Sequence, residues 1–360
     1  MTRPIRARID LAALRHNFSV ARRHAGSARL WAVVKANAYG HGLERAVRAL
    51  NGLADGFALV ELERAIHLRA TGLHAPILML EGFYAADELP FFMTHQLTPV
   101  LHRFDQVTAL LAVDWPVDLP VYLKVDSGMH RLGFAADGLA AARSALQARG
   151  IAVVLMTHFA DADGPRGVDW QLSSFDRMVE GNAARSLANS AALLRFPHAM
   201  GDWARPGIML YGGSPFADVS AAALDLQPVM SLQSEVIAVQ HLVAGEHVGY
   251  GCTFTAAQSM RIGVVACGYA DGYPRHAPTG TPVLVDGQMT HTLGRVSMDK
   301  LCVDLTGLPE KVDVGSTATL WGRAGDVLLE ADQVASAAGT ISYELFCALA
   351  ARVPVIEVSA

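Results

Sequence analysis

The stretch Leu30-Trp-Ala-Val-Val-Lys35 opens the series of segments that decides the fold: a short apolar run that stops at a charged residue. Seven similar runs follow, separated by Ala-, Arg- and Leu-rich segments with helical periodicity. The predicted strands cover residues 30–34, 56–60, 76–80, 97–101, 121–125, 153–157, 186–189 and 203–208. Apolar strands that alternate with helices are typical of a parallel sheet covered on both faces, and eight such units in about 200 residues predict a (β/α)8 TIM barrel.

The main alternative to a barrel is an open, doubly wound α/β sheet. Such a sheet would be expected to carry G-x-G-x-x-G after its first strand, and the sequence lacks it there. After about residue 226 the pattern changes to closely spaced strands with Gly, Pro and Asp turns, predicted at residues 231–240, 262–267, 281–286, 301–305 and 318–322. Helices are predicted near residues 328–338 and 343–351. We therefore predict an N-terminal barrel at residues 1–225 and a C-terminal β-rich domain at residues 226–360.

Composition excludes several classes of protein. With 52% hydrophobic and 18% charged residues among 360, the chain is too apolar to be disordered. A net charge of −5 gives no reason to expect a nucleic-acid or anionic-membrane partner, so a small molecule is favoured. The four cysteines are far apart and indicate neither a zinc site nor a disulfide framework. Since no secretory signal or long apolar segment is visible, we expect a cytoplasmic protein.

Lys35 is the first candidate for chemistry, because it ends the first predicted strand. Barrel active sites lie at this end of the strands. Desolvation there would lower the pKa of the lysine, and a neutral amine can form a Schiff base with a carbonyl cofactor. The alternative is that Lys35 only extends past the strand end into solvent.

A second candidate segment is Lys124-Val-Asp-Ser-Gly-Met-His-Arg-Leu-Gly133, at the end of the fifth predicted strand. The planar guanidinium of Arg131 suits a substrate carboxylate, whereas Lys124 in a strand needs an acidic partner or a modification. From this segment alone, a structural ion network between Lys124 and Asp126 is the favoured interpretation.

Two further segments could bind ligands. Ser190, Gly207 and Ile208 follow the seventh and eighth strands, where barrels commonly bind phosphate through backbone N–H groups, although Gly207 could be only a turn glycine. In the second domain, Gly268 and Gly272 bracket a tight turn that could hold Tyr269 rigidly, although ordinary hairpin chemistry explains these glycines equally well.

Taken together and in this order, six segments resemble the alanine racemase family. They are Val33-Val-Lys-Ala-Asn-Ala-Tyr-Gly-His-Gly42, Lys124 to Gly133, Ala188-Asn-Ser-Ala191, Arg205-Pro-Gly-Ile-Met-Leu-Tyr-Gly212, Gly268-Tyr-Ala-Asp-Gly-Tyr273 and Gly294-Arg-Val-Ser-Met-Asp299. The resemblance covers residues from about 5 to 357. It implies a pyridoxal-phosphate enzyme with an N-terminal barrel and a C-terminal β domain that is active as a homodimer. Such an enzyme interconverts L-alanine and D-alanine. It would either supply D-alanine for the cell wall or take part in the catabolism of D-alanine.

The resemblance also implies a role for individual residues. Lys35 and Tyr269 correspond to the two acid/base groups, and Lys35 also holds the cofactor. The positions that match phosphate contacts are Tyr39, Ser190, Gly207, Ile208 and Tyr343. Arg205 corresponds to the arginine that faces the pyridine nitrogen, and His158 corresponds to a residue that bridges Arg205 and Tyr269. Arg131 and the backbone of Met298 correspond to the groups that hold the substrate carboxylate. Lys124 aligns with a lysine that can be carbamylated in relatives.

Other functions remain to be weighed. A racemase of broader specificity, or one that prefers serine, would use the same chemistry, since one hydroxyl is weakly rejected by binding alone. A non-catalytic pyridoxal-phosphate-binding barrel protein would lack the second domain with Gly268–Gly272. Amino-acid decarboxylases share the barrel and would be recognised by release of carbon dioxide.

Overall fold

The computed structural model describes residues 3–179 and 181–358, and these residues form two compact units. One unit takes Phe18–Ala38 and Gly42–Leu210. The other takes the chain up to Asn17, the short segment Tyr39–His41, and the chain from Tyr211 onward. The helix Leu11–Ala25 thus contributes its first turns to one unit and its remainder to the other.

The first unit is the predicted parallel barrel. Its strands are β2 (Arg29–Val33), β3 (Gly56–Leu59), β4 (Ile77–Met79), β5 (Leu97–Leu101), β6 (Val121–Lys124), β7 (Val153–Met156), β8 (Ala184–Ser186) and β9 (Trp203–Ala204). From β2 to β8 each strand pairs in parallel with the next one in sequence, and β9 pairs in parallel with β2. Backbone hydrogen bonds from Arg205 N to Ala188 O and from Asp202 N to Arg185 O, both 2.8 Å, join the last two strand segments and close the ring.

Helices alternate with these strands. They are α1 (Leu11–Ala25), α2 (Leu43–Leu50), α3 (Leu62–Ala70), α4 (Leu89–Thr94), α5 (Phe104–Leu111), α6 (Ala136–Ala148), α7 (Asp169–Met178) and α8 (Ser190–Arg195). The strands β3, β4 and β5 are buried at every position, which explains their continuous apolar sequence. The predicted ranges 186–189 and 203–208 were wrong in extent, since β8 is Ala184–Ser186 and β9 is Trp203–Ala204.

The second unit is β-rich, as predicted. Its strands are β1 (Arg6–Asp10), β10 (Met230–Leu242), β11 (His247–Val248), β12 (Phe254–Thr255), β13 (Met260–Val265), β14 (Pro282–Val285), β15 (Gln288–Leu293), β16 (Leu301–Asp304), β17 (Thr317–Ala324), β18 (Val327–Leu329) and β19 (Val355–Val358). Because β17 pairs with both β14 and β10, the strands β17, β14, β15, β16, β13 and β10 form a closed antiparallel ring. The first strand, β1, adds to this sheet between β10 and β19.

Two helices complete the second unit, α9 (Ala331–Ala337) and α10 (Ser342–Cys347). Both fall within the predicted helical segments apart from one residue, but α10 ends earlier than the predicted residue 351. Across the described part of the chain, none of the helices combines the length and apolar character needed to cross a membrane.

Candidate active site

Lys35 lies two residues beyond the carboxyl end of β2, at the start of an unusual turn. The residues Ala36–Ala38 have φ values of 53°, 53° and 54°, so the backbone makes a left-handed turn without glycine. Asn37 stabilises it, since its carbonyl accepts from Gly42 N and its Oδ1 from Leu43 N, both at 2.9 Å. The expected desolvation of Lys35 is wrong: the turn carries the side chain beyond the apolar strand, and Lys35 is exposed.

Arg205 lies just beyond β9 and is buried, with its guanidinium held by main-chain and hydroxyl oxygens. Nη1 donates to the carbonyl and the hydroxyl of Ser186, each at 2.8 Å, and Nη2 donates to the carbonyls of Thr157 at 2.6 Å and Leu187 at 3.1 Å. Burial lowers the pKa of Arg205 to about 10, so the guanidinium stays charged at neutral pH. These contacts fix a cation at the carboxyl ends of the strands.

His158 follows β7 and is paired with this arginine. Nη2 of Arg205 lies 3.4 Å from His158 Nδ1, and since a guanidinium only donates, Nδ1 accepts and the ring proton resides on Nε2. Burial, followed by the charge of Arg205, lowers the pKa of His158 well below its usual value. The ring is therefore neutral at physiological pH, with Nε2–H available as a donor.

A hydrogen-bonded network that the sequence did not indicate supports the His158 segment. The amide of Gln171 donates to the His158 carbonyl at 3.1 Å and to Ser127 Oγ at 3.2 Å. Ser127 Oγ lies 2.7 Å from Thr157 Oγ1, whose carbonyl accepts from Arg205. Gln171 lies on α7 among apolar neighbours, and only its burial in the fold distinguishes it from a surface glutamine.

Lys124 ends β6 and is only 7% exposed. Burial, then the charges of Arg205, Arg131 and Lys35, lower the pKa of Lys124 to about 7. The favoured Lys124–Asp126 ion network is wrong: among the described residues these two form no ion pair. The Asp126 carboxylate instead accepts from the backbone of Gly128 and His130 and contacts the His130 ring at 3.1 Å.

Three of the five predicted phosphate-binding residues, Ser190, Gly207 and Ile208, meet at one point of the barrel. Ser190 begins α8, which Asn189 caps by accepting from Ala192 N at 3.0 Å. Gly207 N donates to Ser190 Oγ at 2.8 Å, and Ile208 starts the short 3-10 helix Ile208–Tyr211. Because β8, β9 and β2 are consecutive around the ring, these residues, Arg205 and Lys35 all follow neighbouring strands at their carboxyl ends.

This edge of the barrel is strongly cationic. The side chains of Lys35, Lys124, Arg131 and Arg205 all lower the pKa of His158, so their charges act on one region. Arg131 itself is exposed. A hydroxyl and backbone N–H groups suit a phosphate, the guanidinium groups suit anions, and the lysine amine suits a carbonyl carbon. Together these groups fit a ligand that carries a phosphate and an aldehyde, and a second ligand that carries a carboxylate, such as an amino acid.

Within the second unit, Tyr39 and Tyr343 are brought together. The Tyr39 ring stacks on Tyr211 with centroids 4.8 Å apart, and its centroid is 6.1 Å from that of Tyr343. Tyr39 is buried, and burial raises the pKa of its hydroxyl, which therefore stays protonated.

The same unit holds Tyr269 on the exposed side of a tight turn. Tyr269 is 38% exposed and begins the 3-10 turn Tyr269–Asp271. Tyr269 N donates to Ser297 O and Ala270 N to Met298 O, both at 3.0 Å, so the structure places the two predicted residues Tyr269 and Met298 side by side. A side chain at Gly268 would lie 2.3 Å from Ser297 O, which explains the glycine before the tyrosine.

The chain matches known families along nearly its whole length. The model of the alanine racemase N-terminal domain matches residues 9–215, and that of the alanine racemase C-terminal domain matches residues 229–357. A protein of Thiobacillus denitrificans named alanine racemase is 58% identical, with 99% of this chain and 96% of that protein covered. A catabolic alanine racemase of Salmonella typhimurium is 51% identical, with 99% of each chain covered.

The fold also matches that of a solved structure over nearly the whole chain. The crystal structure of a biosynthetic alanine racemase from Pseudomonas aeruginosa superposes with a TM-score of 0.95 at 48% identity, covering 99% of this chain and 100% of the other.

Proposed function

We propose that this chain, which belongs to the alanine racemase family, interconverts L-alanine and D-alanine with pyridoxal 5'-phosphate as its cofactor. It is an enzyme of the isomerase class. The observation that carries the proposal is the placement of Lys35, Ser190, Gly207 and Arg205 at the carboxyl ends of neighbouring strands in a chain that is 58% identical to a named alanine racemase.

The cofactor would be held mainly by the barrel. Lys35 would bind it covalently, with Ser190 Oγ and the backbone N–H groups of Gly207 and Ile208 on its phosphate and Arg205 at its pyridine nitrogen. By the family resemblance, Tyr39 and Tyr343 would also contact the phosphate through their hydroxyl groups. When bound, pyridoxal phosphate withdraws electrons from the substrate α-carbon, so that the α-proton can be removed.

Racemisation needs a proton to leave one face of the α-carbon and return to the other. Lys35 and Tyr269 would serve as the two bases, one on each face. Tyrosine has an ordinary pKa near 10, so its phenol is mostly protonated at neutral pH and is a poor base. A hydrogen-bond donor to its oxygen would stabilise the phenolate and so help it to remove a proton. His158 would supply that donor, since its Nδ1 accepts from Arg205 and its Nε2 carries the ring proton.

Arg205 would also favour racemisation over transamination. A guanidinium only donates hydrogen bonds, so beside the pyridine nitrogen it would not stabilise the protonated ring, and the bound cofactor would be a weaker electron sink. The substrate carboxylate would bind Arg131 and the backbone of Met298. If Lys124 reacts with carbon dioxide, as its depressed pKa favours, the resulting carbamate gives Arg131 an anionic partner.

The active unit would be a homodimer with shared active sites. Lys35 belongs to the barrel, whereas Tyr269 and Met298 belong to the β domain. We propose that each site takes Lys35 from one chain and Tyr269 and Met298 from the partner. A two-fold dimer uses one self-complementary surface twice and therefore contains two such sites.

The direct test is to incubate the purified protein and cofactor with single L-amino acids and to separate the products by chiral chromatography. L-Alanine should yield an equal mixture of enantiomers. Faster conversion of L-serine would favour the broader-specificity alternative, and release of carbon dioxide would indicate a decarboxylase. Absence of D-alanine would overturn the proposal. Two points stay predictions. One is the role of the reaction, either supply of D-alanine for peptidoglycan or catabolism of D-alanine, and the other is a cytoplasmic location.

A further inference from the structure

Asp271 is a fully buried carboxylate, in the same turn as Tyr269, that the proposed chemistry does not use. It is clamped between two arginines from opposite ends of the chain. Arg3 donates to both carboxylate oxygens, at 2.7 and 3.0 Å, and Arg352 Nε donates to one of them at 2.8 Å. Charge-assisted hydrogen bonds from two arginines make this carboxylate a strong, directional anchor.

The anchor is connected to the tyrosine turn through the backbone. Gly268 N donates to Asp271 Oδ2 at 3.0 Å, and Asp271 N returns a bond to the Gly268 carbonyl at the same distance. These two bonds fix both ends of the three-residue turn that starts with Tyr269. Since that turn also donates to Ser297 and Met298, the backbone of Tyr269 is held from two sides.

The clamp extends to the segment beside Met298. Arg352 Nη2 donates to Asp299 Oδ1 at 2.6 Å, and Arg3 Nη2 contacts the Asp299 carbonyl at 3.3 Å. The two arginines therefore tie the Tyr269 turn to the Met298 segment through side chains as well as through the backbone. Burial alone would raise the pKa of Asp271, but the bonds from Arg3, Arg352 and Gly268 outweigh it and hold the pKa below its ordinary value.

We propose that Asp271, clamped by Arg3 and Arg352, is a positioning residue that aims Tyr269 at the substrate α-carbon. This rests on the proposed function, with Tyr269 as the base that removes the proton from L-alanine, as the family resemblance implies. The carboxylate touches no reacting atom; it fixes the backbone from which the phenol projects. A small displacement of an acid/base group costs a large factor in rate, so disturbing the backbone of Tyr269 should slow proton removal from L-alanine more than from D-alanine.

The test compares α-deuterium wash-out from L-alanine and from D-alanine in Asp271→Asn, Arg3→Gln and Tyr269→Phe. Asp271→Asn should lose about tenfold or more from L-alanine and much less from D-alanine, which is the asymmetry expected of Tyr269→Phe. Arg3→Gln should show the same asymmetry more weakly, since Arg352 and Gly268 still hold the carboxylate, and it serves if Asp271→Asn does not fold. Asp286→Asn is the control, because Asp286 lies in the same unit between β14 and β15 and accepts from Thr317 N and Ser316 Oγ.

The outcomes separate the two proposals. If folded Asp271→Asn or Arg3→Gln loses wash-out rate equally from both enantiomers, or loses none, the positioning role is overturned. The proposed function then still stands, provided that the wild-type protein racemises alanine. A wild-type protein that does not racemise alanine would overturn both. Asymmetric loss that Asp286→Asn does not share supports the clamp.

Discussion

Replacing Lys124 by methionine should stabilise the protein, although it removes a residue from the candidate site. The lysine is buried next to three other cations, and its pKa falls from the ordinary 10.5 to about 7. At about 1.36 kcal/mol per pKa unit, this gap corresponds to a cost on the order of 5 kcal/mol for keeping the amine charged in the folded state. Methionine has a similar length and carries no charge, so it escapes that cost.

The effect depends on pH in a definite direction. Below about pH 7 the amine is protonated in both states, and the folded protein bears the whole cost. Between about pH 7 and 10.5 the unfolded chain binds more protons than the folded one, so the free energy of unfolding of the wild type rises with pH. The advantage of Lys124→Met should therefore be several kcal/mol at pH 6 and close to zero at pH 10.5.

Urea denaturation in buffers freed of carbon dioxide, at fixed protein and cofactor concentration, measures this difference. Lys311→Met is the control, since Lys311 is exposed and its replacement should change the free energy of unfolding by less than about 0.5 kcal/mol at either pH. If Lys124→Met is no more stable than the wild type at pH 6, the cost assigned to the buried amine is refuted.

Three further predictions concern the proposed chemistry. Borohydride reduction followed by tryptic mapping should find the cofactor on Lys35, and Lys35→Ala should lose racemisation in both directions; an adduct on Lys124 would contradict the assignment. Arg205→Glu should let the ring nitrogen be protonated and increase transamination per turnover, whereas unchanged partitioning would mean that Arg205 is only structural. Mixing inactive Lys35→Ala with inactive Tyr269→Phe should restore roughly a quarter of wild-type activity through hybrid dimers, and cross-linking each variant beforehand should abolish the recovery.

The barrel was predictable because burial on both faces leaves a continuous apolar signature. The strand Leu97–Leu101 matches its predicted range at both ends. The strand β1 was missed for the opposite reason, since it is five residues long, alternates between apolar and polar positions, and pairs with β10 and β19 far along the chain. A local pattern does not reveal partners at such separations.

The candidate site was predictable where a motif fixes a residue at a strand end, as for Lys35 and Lys124. The environment of those residues was not. Whether Lys124 meets Asp126 or three cations is decided by which strands become neighbours in the ring. The pairing of Asp271 with both Arg3 and Arg352 likewise joins the two ends of the sequence, and no spacing rule relates such residues.

The left-handed turn after Lys35 has a consequence for the order of folding. Each non-glycine residue in that conformation costs about 1–2 kcal/mol, so the nascent segment Ala36–Ala38 will not adopt it by local preference. The turn becomes stable only when β2 is seated in the barrel and the Asn37 bonds to the start of α2 have formed. A partly folded chain therefore lacks the turn that sets the position of Lys35, and under the proposed function the cofactor would be bound only after the barrel has formed.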